Sequence, residues 1–297
     1  MNYNTKISII INCYNGEKYL KETLESVKSQ TFKNFEVIFW DNKSTDRSKE
    51  IFENSKDKRF KYYYSKKKTS LYKARNLAIK KTKGKYLSFI DTDDIWTKDK
   101  LEIQYKYIKK NNADIVYSNL WIFKGSKDNK KLYISNYFKD EDIQTSILEK
   151  SSITLQSSLI DQKIFHQNAN LFNVKFDHVG DLDFFFKVSK KYKFSFIDRP
   201  MAYLRLHEFN LTKTKSSNEI KELKLWLSAN KKNIKKINIL KFKKRIERVQ
   251  FIDFKRKNKL FKCLKLILFS GMFKVKFSDF IILIMPDLIL KKIMWWY

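Results

Sequence analysis

The chain has 297 residues, with 63 Lys+Arg against 32 Asp+Glu and a formal net charge of +31. Its 5 glycines are too scattered for a Rossmann fingerprint or a Walker-A loop, both of which need several glycines within a few residues. Its 2 cysteines make no disulfide framework or zinc knuckle and suit a reducing compartment, and 3 histidines leave little room for a multi-histidine metal centre.

The 43% hydrophobic and 16% aromatic content is enough to bury a large core despite the charge. Ile7 to Ile11 is a continuous β-branched run, expected as a buried strand, and Asn12-Cys13-Tyr14-Asn15-Gly16 follows as a turn. Tyr19, Leu20, Leu24 and Val27 recur at three- and four-residue spacing, which predicts a helix from Glu17 to Gln30. Phe35 to Trp40 is the next strand and ends at Asp41; Asn42 to Asp46 supplies turn and capping chemistry for a short helix to Asn54. Phe60 to Tyr64 is expected as a third strand, Ser70 to Lys81 as a helix with Leu71, Ala74, Ala78 and Ile79 inward, and Tyr86 to Ile90 as a fourth strand running into Asp91. This alternation implies an α/β fold with a mostly parallel sheet and helices on both faces. In such sheets ligands sit outside the carboxyl ends of the strands, where Asp41 and Asp91 both fall.

The second half is looser. A helix is expected to about Asn111, a strand at Asp114 to Ser118, polar loops around Lys124 to Lys131, a helix opened by Gly180-Asp181, and an apolar run at Phe194 to Ile197. We divide the chain into a larger domain over 1–215, with a first half (1–100) and a second half (101–215), and a basic helical region over 216–297. That last region holds 21 Lys+Arg against 6 Asp+Glu. Its apolar segment Phe280 to Pro286 is too short to span a bilayer, which takes about 20 apolar residues. Flanking lysines with Trp295, Trp296 and Tyr297 suit a membrane interface; a helix packed on protein is the alternative. Met1 to Lys6 is polar, unlike a signal peptide.

The most informative string is Asp91-Thr92-Asp93-Asp94 at the end of the fourth strand. Three carboxylates in four residues repel one another unless a cation neutralises them, and a hard ion such as Mg²⁺ or Mn²⁺ is the simplest solution. The competing reading is an N-cap for a helix entered at Ile95. Around this string, Asp41 is placed to accept a hydrogen bond from a nucleobase imide, Tyr14 to stack on the base, and Arg75 to reach a diphosphate.

Ser8 to Glu17 with Leu20, Ser29 to Ile38, Asp41-Asn42-Lys43-Ser44-Thr45-Asp46, Ala74-Arg75-Asn76 and Asp91-Thr92-Asp93-Asp94 together resemble the family 2 glycosyltransferases, through the first 100 residues or so and in order. The resemblance implies a GT-A fold, a nucleotide-diphosphate sugar donor, Mg²⁺ or Mn²⁺, and inversion at the anomeric carbon. It implies that Asn12, Tyr14 and Asp41 hold the nucleoside, that Arg75 contacts the donor, and that Asp91 and Asp93 bind the metal with Asp94 close by. The family's base, the aspartate of a Glu-Asp or Gly-Asp pair opening a late helix, matches Gly180-Asp181, with Asp183 the nearest competitor. Tyr203-Leu204-Arg205-Leu206-His207 resembles a segment near the diphosphate or acceptor. The expectation is a cytoplasmic transferase on the inner face of a bacterial membrane, taking a UDP-sugar because Asp41 suits the uracil imide, and building a lipid-linked or surface-glycan precursor.

Other classes remain to be weighed. A haloacid dehalogenase-type phosphatase carries its acidic motif on the first strand, and a pyrophosphorylase-type nucleotidyltransferase on a related sheet normally shows a glycine-rich N-terminal signature. A basic nucleic-acid-binding protein would account for the charge and for Phe60 to Lys66, and would leave the aspartates unexplained; nucleic acid is not expected as a partner.

Overall fold

The computed structural model describes residues 5–134, 142–150, 153–166, 172–208, 210 and 216–269. The segment from Phe280 to Pro286 and the terminal Trp295-Trp296-Tyr297 lie outside these residues.

The expected alternation is present in the first half. Strands β1 (Ile7–Cys13), β2 (Phe35–Asp41), β3 (Phe60–Tyr64) and β4 (Tyr86–Asp91) are separated by helices α1 (Glu17–Lys28), α2 (Ser48–Asn54) and α3 (Leu71–Ile79). All neighbouring pairs among these four strands are parallel, in the order β3-β2-β1-β4. The unbroken apolar run of β1 has a direct cause: both faces of the strand are covered. Ile7, Ile9 and Ile11 join Leu20, Leu24 and Val27 of α1 and Phe52 of α2 in one buried cluster, while α3 packs on β1 and β2 from the side that Asn12 and Asp91 share. Along α3, Tyr72, Ala74, Arg75, Asn76 and Ala78 are buried, whereas Leu71 and Ile79 are half-buried.

After β4 the chain makes a tight turn, with the Asp94 amide donating to the Asp91 carbonyl at 3.2 Å. It then enters a two-residue strand, β5 (Ile95–Trp96), not the helix that the N-cap reading required; helix α4 (Lys100–Lys110) starts five residues later. The second half of the sheet is mixed. Strand β6 (Ile115–Lys124) runs well past the expected Ser118 and turns at Gly125, whose φ of +70° is a left-handed conformation easy only for glycine, into β7 (Ser126–Leu132). That strand replaces the expected polar loop. Helix α5 (Ile143–Lys150), strand β8 (Ser158–Asp161), the short helix α6 (Lys163–His166), helix α7 (Gly180–Val188) and the long strand β9 (Phe194–Arg205) complete this half.

Strand β8 joins β4 to β6 through antiparallel pairs, β9 lies parallel to β6, and β5 pairs antiparallel with β9. Pro200 sits within β9 where the register shifts, from Ser118 opposite Ile197 to Asn119 opposite Pro200. A proline is tolerated there because an irregular ladder position does not call for its missing N–H.

The chain clusters into two compact units, Met1–Ile147 with Ser151–Asn210, and Leu148–Lys150 with Leu211–Tyr297. The second unit contains helices Ser216–Asn230, Lys236–Arg256 and Leu260–Phe269, with Trp226 packed on Phe242 at 5.2 Å between ring centroids. Among the described residues no helix is long and apolar enough to cross a membrane.

Candidate active site

The strand register builds the site from three neighbouring ends. Asn12 of β1 lies beside Trp40 of β2 and Asp91 of β4, and Cys13 lies beside Asp41. Asn12 Nδ2 is buried with no hydrogen-bond partner among the described residues. Tyr14, just past β1, is 45% exposed, with Lys68 Nζ 3.4 Å from its ring centroid.

The turn after β1 and the turn after β2 are fastened to each other. Asn15 N donates to Ser44 Oγ (3.0 Å), Thr45 N to Asn15 Oδ1 (2.9 Å), Gly16 N to Ser48 Oγ (2.9 Å) and Glu17 N to Asp46 Oδ2 (2.9 Å). The polar residues of Asn42 to Asp46 therefore brace the rim. Asp41 belongs to this framework: it is 1% exposed, its Oδ1 accepts from the Ser44 amide at 2.7 Å and its Oδ2 from the Tyr62 hydroxyl at 2.6 Å. Burial, and then the hydrogen bond to the Asp41 carboxylate, push the Tyr62 hydroxyl well above its ordinary pKa. The bond from Tyr62 has no signature in the sequence, because alternation along β3 marks a tyrosine's face but not its partner.

At the centre stands Arg75. It is 4% exposed, its Nη2 donates to Asp91 Oδ1 at 3.1 Å and its Nη1 to Asp181 Oδ1 at 2.8 Å. The guanidinium expected at a diphosphate is thus engaged by two carboxylates, and one side chain gathers the first aspartate of the acidic string and the candidate base. Desolvation by the surrounding protein raises the Asp91 pKa, against the Arg75 charge and with the charges of Asp93 and Asp181 adding to the rise.

The three aspartates of the string point in different directions. Asp91 turns to Arg75 with its side chain 43% exposed. Asp93 Oδ2 meets His207 Nε2 at 2.7 Å, with Asn210 Nδ2 at 3.4 Å. Asp94 turns inward: it is buried, and its Oδ1 accepts from the Arg205 amide at 3.0 Å. Burial, together with the charges of Asp93 and Asp91, holds its pKa well above the ordinary carboxylate range. Asp94, expected close to the ion, braces β9 through its bond to the Arg205 amide. Arg205 completes that brace, with Nε donating to the Asp93 carbonyl at 3.0 Å, Nη2 paired with Glu22, and its guanidinium over Tyr19 (4.5 Å) and Phe123 (4.6 Å). Neither Glu22 nor Asn210 carried a signal in the sequence; both lie on segments distant in the chain.

Among the described residues no group of three or more His, Cys, Asp or Glu converges as a metal site. Asp91 and Asp93 still fit a hard cation by donor chemistry: both are carboxylates, two positions apart, partly exposed, with their mutual repulsion contributing to the raised Asp91 pKa.

Asp181 lies in the first turn of α7 with its side chain 32% exposed. Its competitor Asp183 is buried and paired with Lys187 Nζ at 2.5 Å, one turn along the same helix. Gln156, Ser157 and Ser158 are buried, and their carbonyls accept from Trp96 Nε1 (3.0 Å), Gln104 Nε2 (2.7 Å) and Ser88 Oγ (2.7 Å).

The profile of Glycosyl transferase family 2 matches residues 8–171. An uncharacterized glycosyltransferase of Rickettsia felis is 32% identical over 206 residues, which are 69% of this chain and 33% of that protein; the chain thus spans about a third of that curated relative's length. The Escherichia coli UDP-Glc:alpha-D-GlcNAc-diphosphoundecaprenol beta-1,3-glucosyltransferase WfgD is 28% identical over 221 residues, covering 73% of this chain and 82% of that one. Among solved structures, residues 1–349 of S. aureus TarS in complex with UDP superpose with a TM-score of 0.61 over 94% of this chain and 81% of that one, at 19% identity, a likeness of fold.

Proposed function

The chain belongs to glycosyl transferase family 2, and from that membership we propose that it moves a sugar from a nucleotide-diphosphate sugar to an acceptor hydroxyl, inverting the anomeric centre, with Asp181 as the base. The observation that carries this reading is the single guanidinium of Arg75 within 3.1 Å of both Asp91 and Asp181. It draws the partly exposed carboxylate of α7 to the strand ends where a family donor would lie.

In the proposed reaction the acceptor hydroxyl gives its proton to Asp181 as its oxygen bonds the anomeric carbon. The bond from that carbon to the diphosphate oxygen breaks, and its electron pair leaves with the nucleoside diphosphate. An aspartate is a weak base, sufficient when the proton moves late in the displacement. Asp91 and Asp93 would hold Mg²⁺ or Mn²⁺, which neutralises charge developing on the departing diphosphate. Asn12 and Tyr14, with Asp41 fixing the turn behind them, would receive the nucleoside, and His207 would aim Asp93. UDP is the donor nucleotide we favour, since WfgD is named for a UDP-sugar and TarS was crystallised with UDP.

A lipid-linked acceptor is the reading that WfgD's name supports, and the second unit supplies a surface suited to reach it. Between Leu223 and Ile246 there are nine Lys or Arg and no Asp or Glu. Leu225, Ile237 and Leu240 in the same stretch are exposed. Cations interleaved with exposed apolar side chains suit an anionic membrane surface.

The test is Asp181→Asn. UDP affinity in Mn²⁺ should stay within about twofold of the parent, while UDP release from a turned-over UDP-sugar falls about 10²- to 10⁴-fold, the usual contribution of a general base. Loss of UDP affinity in parallel with turnover would assign Asp181 a structural role instead.

A further inference from the structure

Gly180 and Tyr72 occupy each other's space. A Cβ on Gly180 would lie 2.4 Å from Cε2 and Cζ of the Tyr72 ring. That ring has nowhere to retreat: it is 2% exposed, stacked on Phe172 at 5.7 Å between centroids, with the Arg75 guanidinium carbon 5.3 Å from its centroid. Phe172 is itself held to α3, because Asn76 Nδ2 donates to its carbonyl at 2.8 Å and its amide donates back to Asn76 Oδ1 at 3.3 Å. The Tyr72 hydroxyl accepts a hydrogen bond from the Asp181 amide at 3.2 Å.

Tyr72, Arg75 and Asn76 stand at i, i+3 and i+4, one face of α3. This face makes three attachments to residues 172–181: Asn76 to the backbone of Phe172, Tyr72 to the backbone at Gly180 and Asp181, and Arg75 to the Asp181 carboxylate. The first two set where the main chain of α7 begins, and the third sets where its carboxylate points.

We propose that Tyr72 is a positioning residue for the base, fixing the backbone of Asp181 through its hydroxyl and through a ring-to-glycine contact that admits no side chain at position 180, while Arg75 aims the carboxylate. This rests on the reading of Asp181 as the base. Tyr72 touches no substrate in this role; it acts through the peptide that carries Asp181. A displacement of about an ångström at a reacting group costs roughly a hundredfold in rate, so both the hydroxyl and the absent Cβ matter to turnover and not to donor binding.

The experiment is a double-mutant cycle on the full chain, with UDP release from whichever of UDP-glucose, UDP-galactose and UDP-N-acetylglucosamine the parent turns over as the rate, UDP titration in Mn²⁺ as the affinity, and thermal unfolding as a control. Tyr72→Phe keeps the ring and should lower kcat about tenfold with donor KM and UDP affinity unchanged. Gly180→Ala forces the start of α7 away from the held ring and should lower kcat about a hundredfold. Because that displacement already breaks the hydroxyl contact, the double variant should match Gly180→Ala alone. A parental kcat in Tyr72→Phe, strictly additive losses, or a fall in UDP affinity matching the fall in kcat would overturn the proposal. Asp181→Asn separates the two levels. If it keeps turnover, the base reading fails; if it loses turnover while Tyr72→Phe does not, only the positioning role fails.

Discussion

Arg75 Nη1 lies 2.8 Å from Asp181 Oδ1, joining two residues 106 positions apart through a side chain that is 4% exposed. With its other nitrogen on Asp91, this guanidinium holds two like-charged carboxylates together, Asp91 and Asp181, and the charge of Asp93 is felt at Asp91 as well.

Removing it should expose that repulsion. Both carboxylate partners are partly exposed and regain solvent, so Arg75→Met should cost about 1–3 kcal/mol in urea unfolding, below the figure for a wholly buried pair. With the arginine gone, a divalent ion meets a more negative site. Mn²⁺ should therefore raise the melting temperature of the variant more than that of the parent. Equal Mn²⁺ shifts in both proteins would place the ion away from Asp91.

Asp93 is partly exposed and hydrogen-bonded to His207. Asp93→Asn should abolish the metal dependence of UDP binding and lower turnover at least about 10²-fold. His207→Gln, which keeps a hydrogen-bond donor, should be milder. Calorimetric titration with and without Mn²⁺ decides the matter, and undiminished metal-dependent binding in Asp93→Asn would refute the assignment.

Lys100 offers a test by pH. It is fully buried, bonded to Gln104 Oε1 (2.7 Å) and Ser88 Oγ (3.1 Å) with Trp96 4.0 Å beneath its ammonium, and among the described residues it has no ion-pair partner. Burial alone pushes its pKa well below 10.5. The folded chain therefore gives up this proton before the unfolded chain does, and between the depressed value and 10.5 stability rises with pH. Relative to Lys100→Met, the parent should gain stability as pH rises toward 10.5, with a slope of at most about 1.4 kcal/mol per pH unit. A stability difference that stays flat through this range would mean the amine is solvated.

The basic stretch between Leu223 and Ile246 makes a prediction about surfaces. Changing Lys231, Lys232, Lys235 and Lys236, all exposed, to Glu should prevent co-sedimentation with phosphatidylglycerol vesicles and leave UDP binding in Mn²⁺ as in the parent. Each exposed cation is worth about 1 kcal/mol at an anionic membrane. Unchanged sedimentation would remove this stretch from the membrane reading.

What the sequence carried was local. The Ile7 to Ile11 run, the helical spacing of Leu20, Leu24 and Val27, and the aspartates at the ends of β2 and β4 were all legible, because burial on both faces and strand-end position leave a mark within ten residues. Strand β7, with the sequence Ser-Lys-Asp-Asn-Lys-Lys-Leu, was not, since an edge strand exposed on most positions has no apolar alternation. Strand β5 is only two residues long and exists because β9 arrives beside it. The directions of the aspartates were beyond reach for the same reason: Asp94 turns inward to meet Arg205, 111 residues away, and Asp93 meets His207, 114 away. Likewise, a glycine at 180 looks unconstrained until Tyr72 is seen in its place.

Among the described residues strand β7 pairs with β6 alone and forms an edge of the sheet. Lys127, Lys130 and Lys131 stand on it, all exposed. Two copies meeting edge to edge would bring these cations together, a repulsion that keeps the hairpin from templating self-association. Cations along a sheet edge disfavour edge-to-edge pairing, and neutral β-branched residues in place of these lysines should make the hairpin more adhesive.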